Sequence, residues 1–378
     1  MQDSMIWISS PHPSGAEQKY IDDAFNTRRL LTLGENIDGF EADIEKYLGN
    51  NVHVAALSSG TAAIHMALVL LGIGPGDEVI CQSLTFAASA NPVVYLGGTP
   101  VFVDSEPETW NICPDALESA IKNRIAAGKQ PKAIVAVHAY GMPYKVREIR
   151  ELADKYGIPV VEDSAEALGS AYYGQKCGTF GDLSILSFNG NKIITTSSGG
   201  VLVSKSAEIK QRAIFLASQA KDAAPHYQHS QIGYNYRMSN VLAGIGRGQA
   251  EVLEERILQR RSIHNFYKDL FAPLSGVSAF TSIDDEAFYS NYWLTAVVLE
   301  NNGANIALMQ HLLLDNIDSR PVFKPLHLQP VFSHCLYFGG NRAENIFNSG
   351  LCLPSSSNLT QAEKERIEQS VYKWYKAF

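Results

Sequence analysis

Two residues of this chain have the types and setting for carbonyl chemistry, Lys192 and Asp163. Lys192 lies in DLSILSFNGNKIITTSSGGVLVS, which runs from residue 182 to 204. A β-rich apolar run ends at Ser187-Phe188. A loop of small or amide-bearing residues (Asn189, Gly190, Asn191) follows, and a Gly-Gly pair opens another strand. Small residues let backbone come close to a ligand. A lysine held between buried strands loses hydration, which favours the free amine, the form that makes Schiff bases. Upstream, Ile158-Pro159-Val160-Val161-Glu162-Asp163 reads as a buried parallel strand ending in two carboxylates. Ligands of open α/β sheets bind outside the carboxyl ends of the strands, which is where Asp163 stands. An acid to keep a pyridine nitrogen protonated and a lysine to hold an aldehyde are what pyridoxal 5'-phosphate needs. Taken singly, Lys192 reads more readily as a solvated loop lysine, and Asp163 equally as a helix N-cap or a surface turn acid.

A phosphate-bearing cofactor also needs an anion site. Val52–Ala56 reads as a short strand, and Ser58-Ser59-Gly60-Thr61-Ala62-Ala63 follows it and opens the helix Ile64–Leu71. The first N–H groups of a helix are unpaired and carry the positive end of its dipole. Gly60 permits close approach and Thr61 adds a hydroxyl; plain N-capping explains the same residues. Phe86 falls where a strand gives way to a helix, so its ring is placed either to stack on a planar cofactor or to fill core. The segment SRPVFKPLHLQP, residues 319–330, is stiffened by three prolines and carries Arg320, Lys324 and His327. Those cations suit a diphosphate ligand, or an ordinary surface loop.

These residues belong to an α/β framework. Strands are expected at Glu78–Cys81, Val101–Asp104 and Ala133–His138, with helices at Ala87–Leu96, Leu117–Ala127 and Val146–Tyr156. Such alternation with short links implies βα units and a mainly parallel sheet covered on both faces. Ser14 to Glu17 has capping-box spacing before a first helix, and a second amphipathic helix runs near Phe40, Ile44 and Leu48. One long helical pattern, about Asn240–Phe271, links the large domain (1–240) to a small C-terminal one (241–378). In the small domain Tyr292–Leu299 reads as a strand, Ala304–Asp315 as a helix and Gln361–Tyr375 as a closing helix.

With 378 residues, 46% hydrophobic and 19% charged, the composition is that of a globular enzyme with ample core. A net charge of −8 argues against a nucleic-acid or anionic-membrane surface. No window is long and apolar enough to suggest a membrane span, and the N-terminus has no signal-peptide pattern. Five scattered cysteines without metal spacing suggest reduced thiols in a cytoplasmic protein. No GxGxxG follows the first strand, which disfavours a dinucleotide-dependent dehydrogenase.

Five stretches, in order, carry a resemblance: SSGTAAIHMAL, TFAASANPVVYLGGTPVFVD, VVEDSAEALGS, GTFGDLSILSFNGNKIITTSSGGVLV and IGYNYRMSNVLAGIG. Over nearly its full length the chain resembles the DegT/DnrJ family of pyridoxal-phosphate-dependent sugar-nucleotide aminotransferases. The resemblance implies a fold-type I aminotransferase, with a large domain of mainly parallel mixed sheet between helices and a smaller α/β C-terminal domain. It implies a homodimer with sites shared across the interface. It makes Lys192 the Schiff-base and proton-transfer residue, Asp163 the partner of the pyridinium nitrogen, and Glu166 a contact of the ring hydroxyl, where many relatives carry Gln. Phe86 would stack on the ring. Gly60, Thr61, Ala62 and Ser187 would hold the phosphate, with Asn235 coming from the neighbouring subunit. Arg320, Lys324 and His327 match the substrate-side loop. The segments SFNGNKIITT and SRPVFKPLHLQPVF look most like the branch that aminates C4 of a UDP-linked 4-keto-6-deoxy-N-acetylglucosamine, with glutamate as donor. Aminotransferases for GDP- or dTDP-linked keto-sugars are the nearest alternative. Lys192 argues against the dehydratase branch, which has histidine at that position. No added DNA-binding element supports a non-catalytic regulator.

Overall fold

The computed structural model of the protein describes residues 4–49, 51–279, 286–301 and 303–377. Its centre is an eight-stranded sheet. The strands lie in the order His53–Leu57, Gly200–Ser204, Leu183–Ser187, Val160–Asp163, Ala133–Val137, Glu78–Gln82, Thr99–Val103 and Tyr337–Phe338. Gly200–Ser204 runs antiparallel to both its neighbours, and every other pairing is parallel. The sheet is therefore the mixed, mainly parallel one expected. Its central strands are buried on both faces, as placement between helices requires. Leu57 pairs with Gly200, Gly200 with Ser187, Asp163 with Val137 and with Ile185. The loops after these strands thus emerge along one edge.

The smaller sheet, in the order Val277–Ala279, Thr295–Leu299, Gly350–Leu353 and Arg320–Pro321, is antiparallel and packs with the helices Leu253–Phe271, Ala304–Leu314 and Gln361–Ala377. Two crossings tie the two parts together. Ile6 bridges Ile317, and Tyr337–Phe338 returns to complete the large sheet. Among the described residues no helix is long and apolar enough to cross a membrane.

Three expectations are corrected. The pattern over Asn240–Phe271 is two helices, Asn240–Ala250 and Leu253–Phe271, because Val252 leaves helical geometry (φ −113°, ψ 10°). Gly244, Gly246 and Gly248 pack the first of these so tightly that an added Cβ would strike Asn36, Phe40 and Glu17 respectively. Ala87–Leu96 splits into a 3-10 turn, Ala87–Ser89, and a short helix, Asn91–Tyr95, with Pro92 at the helix start. The strand expected from Tyr292 begins at Thr295, because Tyr292 has a positive φ of 48°.

Glu162, next to Asp163, points to the other face of the strand. Its carboxylate accepts from the backbone of Gly178 (2.6 Å), Phe180 (2.7 Å) and Gly181 (2.9 Å) and from the hydroxyls of Ser164 and Ser184. His138 Nε2 lies 2.8 Å from it. The Tyr144 amide donates to His138 Nδ1 at 3.1 Å, so Nε2 is the nitrogen that carries a proton toward Glu162. Burial opposes ionisation of Glu162, but His138, the Gly178 amide and Ser184 outweigh it and hold the carboxyl down to about 2. A depressed carboxyl stabilises the fold above its unfolded value, near 4.5, and loses that contribution as pH falls through about 2. Glu162→Gln keeps the shape but not the charge. It is expected to cost about 3–5 kcal/mol in urea unfolding at neutral pH. Its stability should also decline less than that of the parent between pH 4.5 and 2.

Candidate active site

The aligned strand ends surround a cavity of about 830 Å³. Asp163 ends its strand there, 4% exposed. Ser89 donates to its Oδ2 at 2.7 Å and the Ala165 amide to its Oδ1 at 3.1 Å. Burial pushes the Asp163 carboxyl up; Ser89, Ala165 and the charge of Lys192 pull it partly back. Its anionic form is therefore short of positive charge, the condition that a cationic ring nitrogen relieves.

Lys192 sits on the loop between Leu183–Ser187 and Gly200–Ser204. Its Nζ is 3.4 Å from Glu166 Oε1 and 4.1 Å from the centroid of the Trp293 ring. Glu166 Oε2 accepts from the Tyr140 amide at 2.7 Å. Burial raises the Glu166 carboxyl, with Lys192 and the Tyr140 amide opposing. Tyr140 adopts φ 57°, strained for a bulky residue, with its ring stacked 4.9 Å from that of Phe323 and its hydroxyl accepting from the Phe323 amide at 2.7 Å.

The helix Gly60–Leu70 begins one turn earlier than its apolar pattern shows. Ser59 caps it by accepting from the Ala62 amide at 3.0 Å. Gly60 packs against Ser187, where a Cβ would come within 2.9 Å of the serine Cβ. A Cβ on Gly200 would collide with the backbone of Ser59 and Gly60. Two glycines thus close a cradle of backbone amides and hydroxyls from Ser59, Gly60, Thr61 and Ser187, all at the cavity wall. This donor set fits a phosphate. With Asp163 and Lys192 opposite, the site fits pyridoxal phosphate.

Of the residues singled out in the sequence, Gly60, Thr61, Phe86, Asp163, Glu166, Ser187, Lys192 and Arg320 line the cavity. Phe86 is 61% exposed, a free ring face rather than core. Ala62 lies behind the wall, its amide already engaged by Ser59. Lys324 is exposed, away from the lining. His327 is consumed structurally. Its Nδ1 is 2.7 Å from Ser83 Oγ, its Nε2 3.3 Å from Glu344, and its ring stacks on Tyr337. Asn235 is exposed and bridges Ser218, outside the cavity of its own chain. Sequence reasoning missed Ser89, Tyr140, Trp293 and the N-terminal residues Trp7 to Pro11, which form much of the wall. Ser89 lies in the quoted TFAASA stretch; the others carry no local signal.

A half-buried lysine, a buried acid at a parallel strand end and a phosphate cradle define a pyridoxal-phosphate enzyme of the fold-type I class. The family model described as the DegT/DnrJ/EryC1/StrS aminotransferase family matches residues 12–372. EpsN of Bacillus subtilis, assigned as a pyridoxal phosphate-dependent aminotransferase, is 48% identical over 366 residues, covering 96% of this chain and 94% of its own. GDP-perosamine synthase of Escherichia coli O157:H7 is 36% identical, covering 98% of each chain. Among solved structures, the aminotransferase TlmJ of Streptoalloteichus hindustanus superposes with a TM-score of 0.91 at 30% identity over 99% of both chains. The chain belongs to the DegT/DnrJ/EryC1/StrS aminotransferase family, and it is a pyridoxal-phosphate-dependent sugar aminotransferase.

Asp163→Asn tests the charge balance. A carboxyl raised by burial weakens the fold as pH rises through its folded value, so removing it should leave the melting temperature of the cofactor-free protein at neutral pH unchanged or higher. The further rise in melting temperature on adding pyridoxal phosphate should shrink in the variant. Paired thermal melts measure both.

Proposed function

We propose that the protein transfers an amino group from L-glutamate to C4 of a nucleotide-linked 4-keto-6-deoxy sugar, and that its acceptor is UDP-2-acetamido-2,6-dideoxy-4-hexulose. The product would be the UDP-linked 4-amino sugar, a bacillosamine-type precursor for surface glycans or protein glycosylation. The observation that carries the reading is the convergence of Lys192, Glu166 and Asp163 on one cavity large enough for a nucleotide sugar.

When bound, pyridoxal phosphate supplies an electron sink that acidifies the C–H beside the reacting nitrogen. Asp163 would hold the proton on the ring nitrogen, and Gly60, Thr61 and Ser187 would hold the phosphate. The Lys192 amine is the group placed to take a proton from one carbon and return it to another, acting as base and acid in turn. Glu166 limits where that amine can reach. Arg320, 68% exposed by side chain at the rim, is available to a diphosphate. Lys324 would serve it only by reaching in from outside the lining.

Asn235, exposed on its own chain, fits a contribution to the second site of a homodimer. Five free cysteines, three of them buried, support a reducing cytoplasmic setting. A second acceptor class has a specific observation behind it. GDP-perosamine synthases of Escherichia coli and Vibrio cholerae are 36% and 35% identical to this chain, which supports a GDP-linked acceptor.

The experiment supplies the purified holoenzyme with glutamate and, in turn, UDP-, GDP- and dTDP-linked 4-keto-6-deoxy sugars. Amino-sugar product is followed by mass spectrometry and 2-oxoglutarate by a coupled assay. Fastest turnover with the UDP-linked sugar and none in Lys192→Ala is expected. Preference for the GDP-linked sugar replaces the first acceptor with the second. No amino sugar from any of the three overturns the reading.

A further inference from the structure

Among the described residues Arg260 is the largest fully buried side chain, 1% exposed in the middle of the helix Leu253–Phe271. Among the described residues no carboxylate pairs with it, and its Nε has no partner. A buried cation without a counter-ion is costly to keep. Its two remaining nitrogens are specific. One donates to the Trp293 carbonyl and the other to Ser9 Oγ at 2.9 Å. From there both paths meet again. Ser9 Oγ and Trp293 Nε1 each donate to the Asn191 carbonyl, each at 2.7 Å. Asn191 directly precedes Lys192, whose amine lies over the Trp293 ring.

We propose that Arg260 is a positioning residue for Lys192, acting through Ser9 and Trp293 to fix the Asn191 carbonyl and so the reach of the lysine amine. The guanidinium forks around the N-terminal segment and the Trp293 backbone. Its two arms converge on one carbonyl oxygen, which removes the freedom of the lysine loop from its N-terminal side. At its far end the lysine side chain meets Glu166, 3.4 Å from the amine. A planar two-pronged donor suits this task where a lysine would not, since a point charge cannot hold both arms in one geometry. The buried charge also strengthens its two hydrogen bonds, because charged donors bond more strongly than neutral ones. The inference rests on Lys192 being the cofactor-bearing lysine.

The test compares Arg260→Met, Arg260→Lys, Ser9→Ala and the double variant Arg260→Met with Ser9→Ala. The first readout is hydrogen exchange of the 188–196 segment in the cofactor-free protein. The second is the visible circular-dichroism band of the holoenzyme, which reports how the bound cofactor is oriented. In Arg260→Met, exchange should rise and the band should shrink. The kcat should fall roughly tenfold to a hundredfold while the KM for glutamate moves less than about threefold. Ser9→Ala should do the same in smaller measure, and Arg260→Lys should recover part of the band. The double variant should lose less than the product of the two single losses, since both act on one carbonyl. Variants that only lower the melting temperature, with exchange, band and kcat unchanged, overturn the proposal, as do losses that multiply independently. If Arg260→Met does not fold, Ser9→Ala decides, and an unchanged band and exchange there sink the idea. Retention of turnover in Lys192→Ala would instead fail the reading of the lysine, independently of exchange in the cofactor-free protein.

Discussion

Two adjacent carboxylates on one buried strand are the constraint around which the rest is arranged. Strand alternation sends Glu162 to one face and Asp163 to the other. Each must be compensated, because an unpaired buried charge is costly. On the Glu162 face the compensation is complete: His138, three amides and two hydroxyls. On the Asp163 face it is deliberately partial, one hydroxyl and one amide with a lysine near. The saturated acid anchors the strand and the turn after residue 177. The unsaturated one is left to a ligand. One carboxylate supplies rigidity and its neighbour supplies function, and the first makes the second affordable.

The other cavity walls follow the same economy of placement. Gly60, Ser187 and Gly200 stand where three strand ends meet, and their small size lets a helix N-terminus and a strand loop approach to contact. Glu166 is fixed at one oxygen by the Tyr140 amide, leaving the other for Lys192. Tyr140 tolerates a left-handed backbone because both its amide and its hydroxyl are engaged. Asn291 then holds the backbone of Glu166 and Leu168 from the C-terminal side, so the acid is clamped by both parts of the molecule.

Much of this was legible in the sequence, and the legible part has a common physical basis. Strands and helices that bury one face announce themselves by period, which is why Val146–Tyr156 was located to the residue and the strands Glu78–Gln82, Thr99–Val103, Ala133–Val137 and Val160–Asp163 to within two, whereas the two-residue strand Tyr337–Phe338 was not seen. Residues whose chemistry is local to a motif, such as Lys192, Asp163, Gly60 and Thr61, line the cavity at the ends of those strands. What could not be read depends on contacts distant in the chain. His327 looked like a ligand for a diphosphate, but Ser83 and Glu344, neither nearby in sequence, occupy both its nitrogens. Trp293 and Ser9 approach Lys192 from opposite ends of the chain, and no window of sequence joins them. The helix break at Val252 was hidden because apolar periodicity continues across it; only the glycine-tight docking of the preceding helix shows why the direction changes.

The strand Tyr337–Phe338 lies beside Phe102 and Val103 at the edge of the large sheet, and this placement orders events during synthesis. A ribosome must deliver the chain out to Phe338 before that edge can close. Until then the strand Thr99–Val103 presents open backbone to any other chain, the standing hazard of an exposed sheet edge. The N-terminal segment faces the same delay, since Ile6 waits for Ile317. The pocket wall formed by Trp7 to Pro11 is therefore made well before Ile317 and seated only after it. A nascent chain can build much of the sheet early, yet it cannot hold a finished cavity before the lining residues Asp318 to Phe323 and Cys352 arrive.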